Sequence, residues 1–337
     1  MDLVHILDAA QFREPALLQE IYSTAAKYES QVLSGQVDEV LKGKIISTLF
    51  FEPSTRTRLS FEAAAFRLGA RVISCENAIA NSSSFKGETV EDSIMTICGY
   101  ADCVIMRHPQ NGAAAAGSKV SSIPLINAGD GSGEHPTQAL LDMFTIYKKF
   151  GSPVDLKIGL AGDLKNGRTV HSLIQLLSIY EGVKLYLFCP NDLSLDQKYL
   201  EMLSESGISY VQTEDWSEYL ADLDILYMTR VQKERFSDYQ EYERLKDAFI
   251  LNEDALAKLS SRAIILHPLP RVNEIAVEVD ADPRAMYFQQ ARNGLYVRMA
   301  LLDLALNHPE KLSSSNYNLD SSGRGMTLAK KFSELTA

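Results

Sequence analysis

Short apolar runs alternate with helical patterns along this chain, and the alternation occurs twice. The runs of the first half are KIISTLFF (44–51), RVISC (71–75), CVIMR (103–107) and IPLINA (123–128). Those of the second half are KIGLAG (157–162), KLYLFCP (184–190), DILYMTR (224–230) and AIILHPLP (263–270). Near-continuous apolar strands joined by helices are typical of parallel sheets covered on both faces. The predicted fold class is therefore α/β, with two doubly wound parallel-sheet domains.

Helical patterns separate these strands and suggest where the chain divides. Clear patterns cover 15–33, 55–68, 135–150, 168–180 and about 285–307. The 337 residues exceed what one ordinary core organises. We predict a first domain of 1–137 plus a C-terminal helix at about 289–308, a second domain of 138–288, and a tail of 309–337. Periodicity alone does not assign the C-terminal helix to either domain.

Composition narrows the function classes. A net charge of −11 opposes general binding to nucleic acid or to anionic membranes, because both require a basic surface. No apolar run approaches the roughly 20 residues of a membrane span, and no basic leader precedes an apolar segment. The four cysteines form no CxxC pair, so neither a zinc site nor a disulfide framework is predicted. We expect a cytoplasmic protein with no metal and no cofactor.

The segment FFEPSTRTRLSFE (50–62) places hydroxyls and arginines where a strand ends and a helix begins. The amino end of a helix offers backbone N–H groups and a partial positive charge, and an arginine can grip two phosphate oxygens. The segment therefore predicts an anion site, most naturally for phosphate. The plainer alternative is an N-cap followed by a solvated basic face, but capping needs only one hydroxyl. The residues assigned to the anion are Ser54, Thr55, Arg56 and Thr57, while Arg58 is assigned to solvent or a salt bridge.

Polar loops also follow three strands of the second half. They are GDLKNGRTVH (162–171), MTRVQKERF (228–236) and HPLPRVNEI (267–275). Arg168 and Arg230 in these loops suit a substrate with two carboxylates. Each arginine alone could be a surface residue, but three polar loops at successive strand ends favour a site. Ligands of parallel sheets gather where strands end, so we expect the active site in the crevice between the two domains. A nucleotide-binding oxidoreductase is disfavoured because the loops lack GxGxxG.

The motifs FFEPSTRTR, RHP (107–109), GEHPTQ (133–138), GDLKNGRT, MTRVQKER and HPLPR together resemble the aspartate carbamoyltransferase family, in its bacterial catalytic-chain form. The resemblance runs from about residue 5 to 308. Ornithine carbamoyltransferases share the phosphate loop but carry HCLP and SMG motifs. This chain has Leu269 at the cysteine position and MTRVQKER in place of the SMG loop.

The resemblance implies transfer of the carbamoyl group from carbamoyl phosphate to the amine of L-aspartate, in de novo pyrimidine biosynthesis. It implies that Arg56, Thr57, Arg107 and His135 are catalytic. The substrate-binding residues it implies are Ser54, Thr55, Arg56, Thr57, Ser82, Lys86, Arg107, His135, Gln138, Arg168, Arg230, Gln232, Pro268 and Leu269. Pro268 and Leu269 would contribute their backbone carbonyls. An ornithine-type transcarbamoylase and a non-catalytic anion-binding subunit are the alternatives.

The loop NSSSFKGET (81–89) reads by itself as a polar loop. In the family, the residues at the positions of Ser82 and Lys86 enter the active site of the neighbouring subunit. The resemblance therefore implies a homotrimer with shared active sites. Regulatory chains join the trimer in bacterial relatives, and the sequence does not decide whether they do so here.

Overall fold

The chain folds into two compact units, each with its own parallel sheet. The structure is a computed structural model that describes residues 4–77, 87–131 and 133–312. The first unit takes the described residues of Met1–Phe144 and Arg292–Asn318, and the second takes Thr145–Ala291. The predicted fold class, two α/β domains with parallel sheets, is confirmed by this architecture.

The first unit contains a sheet whose described strands are parallel and follow the order β2-β1-β3-β4. Its strands are β1 (Ile45–Phe50), β2 (Arg71–Glu76), β3 (Cys103–His108) and β4 (Leu125–Asp130). Its helices include α1 (Pro15–Ser34), α2 (Thr55–Arg67), α3 (Val90–Cys98) and α4 (Ala113–Ser118). The four strands and the first two helices match the predicted segments. The short α3 and α4 were not predicted, because neither spans enough turns to show a clear period.

Side chains between the sheet and its helices form the core of the first unit. Leu49 and Met106 from adjacent strands pack with Ile94 of α3 and Leu125 of β4. Thr89 caps α3 by accepting a hydrogen bond from the Asp92 backbone N–H over 3.1 Å. Buried apolar contact thus holds short helices that local propensity alone would not stabilise.

The second unit contains a sheet whose described strands are also parallel, in the order β7-β6-β5-β8-β9. Its strands are β5 (Lys157–Ala161), β6 (Lys184–Phe188), β7 (Ser209–Thr213), β8 (Ile225–Met228) and β9 (Ile264–Leu266). Four of these were predicted. The edge strand β7 was missed because SYVQT is half exposed and has no continuous apolar run.

The helices of the second unit include four that lie wholly within it: α6 (Arg168–Leu177), α7 (Gln197–Glu205), α8 (Tyr239–Leu245) and α9 (Glu253–Lys258). The unit boundaries fall inside the predicted long helices α5 (Pro136–Phe150) and α10 (Tyr287–Asn307), after which α11 (Pro309–Leu312) follows. The predicted segment 168–180 ends as a helix at Leu177, with Ser178 as its cap. In the described part of the chain, no helix combines the length and apolarity needed to cross a bilayer.

Candidate active site

Each sheet has a point where the strand order changes direction. In the first unit this point lies between β1 and β3, and in the second it lies between β5 and β8. Loops leaving the carboxyl ends of neighbouring strands diverge there, which opens space for a ligand. The predicted phosphate loop follows β1, and the predicted carboxylate-binding arginines follow β5 and β8. Each unit therefore has one cluster of candidate residues at its switch point.

The phosphate loop begins α2 at the carboxyl edge of the first sheet. Ser54 is the N-cap residue, but its side chain makes no capping hydrogen bond. Its carbonyl accepts the Arg58 N–H over 3.1 Å, which leaves the preceding amides of the first turn at the open end of the helix. Thr55 and Arg56 are exposed, whereas Thr57 is buried. The geometry suits an anion at the helix terminus better than the simple capping alternative.

Strand pairing brings Arg107 beside this loop. Arg107 lies near the end of β3 in register with Phe50, and its carbonyl accepts the Phe51 N–H over 2.8 Å. Its guanidinium forms an ion pair with Glu52 at 2.6 Å and donates to the carbonyl of Ala128 at 3.4 Å. Both contacts hold the cation at the strand end, where the phosphate loop starts.

His135 and Gln138 lie at the start of α5, after the loop that leaves β4. The carbonyl of His135 accepts the Gln138 and Ala139 N–H groups at 3.0 and 3.2 Å, and Pro136 occupies the first helical position. Both the His135 and Gln138 side chains are buried. Gln138 donates its side-chain amide to Asp142 over 2.8 Å. Strands β1, β3 and β4 thus place all the described phosphate-site candidates along one sheet edge.

In the second unit, hydrogen bonds join the loops that follow β5 and β8. Buried Asp163 accepts the N–H groups of Asn166 and Gln232 at 2.9 and 3.4 Å. Gln232 donates its side-chain amide to the Asn166 carbonyl at 2.9 Å. Burial raises the pKa of Asp163, although these hydrogen bonds and the charge of Arg230 oppose the rise. The Asp163 carboxylate therefore fixes Gln232 relative to the loop that leads to Arg168.

Glycine is required where the loop after β5 passes the loop after β8. Gly162 has a φ of +116°, and a Cβ added there would lie 2.1 Å from the Thr229 carbonyl oxygen. Only a residue without a side chain permits this approach. The close approach brings the residue preceding Arg230 against the start of the loop that ends at Arg168, the first residue of α6.

Arg230 is held by a carboxylate four residues further along the chain. Its two terminal nitrogens bind the two oxygens of Glu234, one of them at 3.0 Å. The hydrogen bond that Arg230 donates to Glu234 raises the pKa of Arg230 against the effect of burial. The guanidinium is about one quarter exposed and is already oriented by a fork-shaped contact of the kind it would make with a substrate carboxylate.

The loop after β9 presents a backbone in an unusual conformation. Leu269 has a φ of +54°, in the left-handed region that leucine rarely occupies. Its N–H donates to Nδ1 of buried His267 over 2.7 Å. Nε2 of the same ring bonds to Glu274 over 2.7 Å. The buried pair of His267 and Glu274 is thus hydrogen-bonded to the backbone that carries the two carbonyls predicted to contact substrate, those of Pro268 and Leu269.

Several residues at these clusters were absent from the sequence-based predictions. The available signal was their position inside the motifs: Asp163 and Asn166 lie in GDLKNGRT, Glu234 in MTRVQKER, and His267 and Glu274 in HPLPRVNEI. Ser82 and Lys86 lie outside the described residues. Across the described ranges, no cluster of three or more histidine, cysteine or acidic side chains is arranged to hold a metal ion.

Two family models match the chain. "Aspartate/ornithine carbamoyltransferase, carbamoyl-P binding domain" matches residues 4–148, and "Aspartate/ornithine carbamoyltransferase, Asp/Orn binding domain" matches residues 154–305. The two parallel sheets, with arginines where each strand order changes direction, together with these matches define a two-domain α/β transferase. The chain belongs to the aspartate/ornithine carbamoyltransferase family.

Named relatives narrow the substrate class. The chain is 46% identical over 302 residues to aspartate carbamoyltransferase 3, chloroplastic, of Pisum sativum, covering 89% of this chain and 77% of that protein. It is 52% identical over 264 residues to the aspartate carbamoyltransferase catalytic subunit of Bacteroides fragilis, covering 78% of this chain and 85% of that protein.

Solved structures agree with these names. The catalytic subunit of M. jannaschii aspartate transcarbamoylase superposes with a TM-score of 0.83 at 43% identity, covering 91% of this chain and 99% of that one. The Trypanosoma cruzi enzyme in complex with N-(phosphonacetyl)-L-aspartic acid gives 0.83 at 39% identity, with coverages of 88% and 94%. The prediction of an aspartate carbamoyltransferase, made from the motifs, is confirmed by these matches.

Proposed function

We propose that the two clusters divide the substrates of one carbamoyl transfer between them. The first unit binds carbamoyl phosphate, and the second binds L-aspartate. The neutral aspartate amine attacks the carbamoyl carbon, a new C–N bond forms, and the bond from that carbon to the phosphate oxygen breaks. The products are N-carbamoyl-L-aspartate, phosphate and one proton, and the product serves pyrimidine synthesis.

Charge stabilisation at the phosphate end comes from the first unit. The amides and hydroxyls of Ser54, Thr55 and Thr57, with the Arg56 guanidinium, hold the phosphate and the negative charge it gains on leaving. Arg107 bridges the phosphate and the carbonyl oxygen. His135 and Thr57 donate to that oxygen as it becomes negative. Gln138 orients the carbamoyl NH₂ group.

Recognition of aspartate comes from the second unit. Arg168, Arg230 and Gln232 bind the two carboxylates, and the carbonyls of Pro268 and Leu269 accept from the NH₂ group of the carbamoyl phosphate that aspartate attacks. Glu234 already binds the Arg230 guanidinium, so an aspartate carboxylate competes with Glu234 for it. The affinity for aspartate therefore depends on the geometry of the contact as well as on charge. Reaction without a covalent intermediate then rests on orientation and preorganised charge.

One observation carries this proposal: each sheet has arginines at the point where its strand order changes direction. The first unit adds a helix amino terminus suited to phosphate. The second unit has Arg168 and Arg230, which suit a diacid. The experiment is a steady-state assay with carbamoyl phosphate against L-aspartate and L-ornithine. We expect turnover with aspartate alone. Turnover with ornithine, or with neither amine, would overturn the proposed activity.

We further propose that the enzyme is a homotrimer whose active sites are shared through Ser82 and Lys86. Exposed apolar side chains in the first unit support a contact between copies. Leu59 and Phe66 lie two turns apart on one face of α2, and Ile73 is exposed on the edge strand β2 that α2 packs against. Water contact with such a surface is costly, and a second copy would cover it.

Complementation tests the shared sites. Lys86→Ala chains mixed with Arg56→Ala chains should recover activity beyond either parent. Some sites in the mixture then combine an intact Arg56 from one chain with an intact Lys86 from its neighbour. No recovery on mixing would contradict shared sites. Native mass spectrometry should give three chains, whereas a mass of one chain would contradict the trimer. A second polypeptide in the native assembly would show that regulatory chains join it.

We propose that the protein acts in the cytoplasm. The described part of the chain has no helix able to span a bilayer. All four cysteines are free thiols, as expected in a reducing compartment. Some relatives are chloroplastic, so fractionation of the source cells is the test. Recovery of the protein in an organelle fraction would contradict the proposal.

A further inference from the structure

Two buried side chains in the second unit are joined in a way that fixes the proton position on an imidazole. Nε2 of His267 lies 2.7 Å from Oε1 of Glu274, and Nδ1 accepts the Leu269 N–H over 2.7 Å. A backbone N–H can only donate, so Nδ1 must carry a lone pair. A carboxylate can only accept, so Nε2 must carry the hydrogen. The ring is therefore neutral and in the Nε2–H form.

Both oxygens of the Glu274 carboxylate accept hydrogen bonds, Oε1 from His267 and Oε2 from backbone N–H groups. Its second oxygen accepts the N–H groups of Val272 and Asn273 at 3.0 and 3.1 Å. Burial would raise the pKa of Glu274, but the hydrogen bond from His267 and the backbone N–H donors lower it overall. The ionised form is thus the one that this loop is built to hold.

The hydrogen bond to Leu269 determines where the neighbouring carbonyl points. The peptide between Pro268 and Leu269 is trans, so its N–H and C=O groups lie on opposite sides. Binding of the Leu269 N–H to His267 therefore turns the Pro268 carbonyl away from the ring. The same bond opposes relaxation of Leu269 from its left-handed φ of +54°, a conformation that is unfavourable for a residue with a side chain.

Two further interactions connect the pair to its surroundings. The backbone N–H of His267 donates to Oε1 of Gln290 over 2.8 Å, which ties the loop to α10. The charge of Glu274 also raises the pKa of Arg230, so this carboxylate lies within electrostatic reach of the predicted aspartate ligand. One buried group thus influences both the carbonyl-bearing loop and the neighbouring arginine.

We propose that His267 and Glu274 are positioning residues that aim the Pro268 carbonyl at the carbamoyl NH₂ group. Glu274 selects the Nε2–H form of His267, and that form alone leaves Nδ1 able to hold the Leu269 N–H. The proposal rests on the proposed function for the identity of the group that the carbonyl meets. It assigns no direct substrate contact to either side chain.

Glu274→Gln is the informative substitution because it keeps size and burial. If the new amide oxygen accepts from His267, its NH₂ faces the Val272 and Asn273 N–H groups. If the oxygen accepts from those groups, the NH₂ donates to Nε2 and forces a hydrogen onto Nδ1, against the Leu269 N–H. Either arrangement sets donor against donor. We expect kcat to fall about 10- to 100-fold, with the affinity for inorganic phosphate unchanged.

A matched control separates positioning from general stability. Asp224 is another buried carboxylate of the second unit, but it lies at the opposite, amino end of β8. It accepts the Lys157 N–H at 2.9 Å and pairs with Arg262 at 2.8 Å. Asp224→Asn should lower the unfolding temperature and leave kcat at the wild-type value. Equal losses of kcat in the two variants would overturn the proposal.

The state of the ring is tested directly on the wild-type enzyme by ¹H–¹⁵N spectroscopy of labelled histidine. We expect hydrogen on Nε2 of His267 and no hydrogen on Nδ1 near neutral pH. This measurement does not depend on whether the Glu274→Gln variant folds. Hydrogen on Nδ1 would overturn the proposal. If the wild-type enzyme does not carbamoylate aspartate, the proposed function fails, whereas a ring with the wrong proton position defeats only the inference about the pair.

Discussion

Gln138 donates its side-chain amide to Asp142, one turn further along α5, over 2.8 Å. The nitrogen end of the amide is committed to this bond, so its oxygen is the end that remains for the NH₂ group of a substrate. Asp142 is fully buried, and its charge favours the charged form of Arg298 on α10. Burial nevertheless lowers the pKa of Arg298 to about 10. The helix start that carries His135 and Gln138 is thus hydrogen-bonded to a buried carboxylate whose charge acts on Arg298.

Removal of one member of this pair should be costly. Asp142→Leu leaves the Arg298 charge buried without its compensating carboxylate, and we expect a loss of about 3–5 kcal/mol in the free energy of unfolding. Urea denaturation measures the loss. The double variant Asp142→Leu/Arg298→Met should recover most of it, because neither charge is then buried. A single variant as stable as wild type would contradict the role of the pair.

Arg230→Ala should weaken aspartate recognition specifically. A charge-assisted hydrogen bond is worth about 1.5–3 kcal/mol, so the KM for aspartate should rise roughly 10- to 100-fold with a fall in kcat. The KM for carbamoyl phosphate should stay near its wild-type value. Arg244→Ala is the control, since Arg244 is an exposed arginine of the same unit paired with Asp192 at 2.7 Å. Wild-type aspartate kinetics in Arg230→Ala would refute the assignment.

Arg56 and Arg58 lie two residues apart on α2 and should behave oppositely. Arg58 binds Glu62 at 3.2 Å and Glu76 at 2.9 Å, which matches the predicted salt bridge. Arg56→Ala should weaken the binding of inorganic phosphate about 10- to 100-fold by calorimetry. Arg58→Ala should lower the unfolding temperature and retain phosphate affinity. The phosphate loop would be misassigned if the two variants lost affinity equally.

The Glu274 carboxylate should contribute to stability in a pH-dependent way. Its pKa in the folded protein lies below the ordinary value of 4.5. A carboxyl group with a lowered folded pKa stabilises fully above its unfolded pKa, and the contribution is lost as the pH falls through the folded value. The urea midpoint of wild type should therefore fall more steeply than that of Glu274→Gln between about pH 5 and pH 3. Parallel curves would contradict this expectation.

Local patterns in the sequence predicted eight of the nine described strands, because each of those eight contains a short apolar run. Strand β7 escaped detection because an edge strand needs no continuous apolar pattern. The short helices α3, α4, α7, α8, α9 and α11 were also missed, since tertiary packing rather than periodicity stabilises helices of only a few turns.

The sequence by itself determined the alternating α/β plan, the phosphate loop at the start of α2 and the presence of arginines after strands. These features are local: apolar period, helix-start chemistry and residue type are all readable within a few residues. Only the tertiary structure decided that β1 pairs with β3 and β5 with β8, which sets Arg107 beside Phe50. It also decided that Asp142 lies within electrostatic reach of Arg298, because partners distant in the chain are selected by packing and by the burial of charges, which no local pattern specifies.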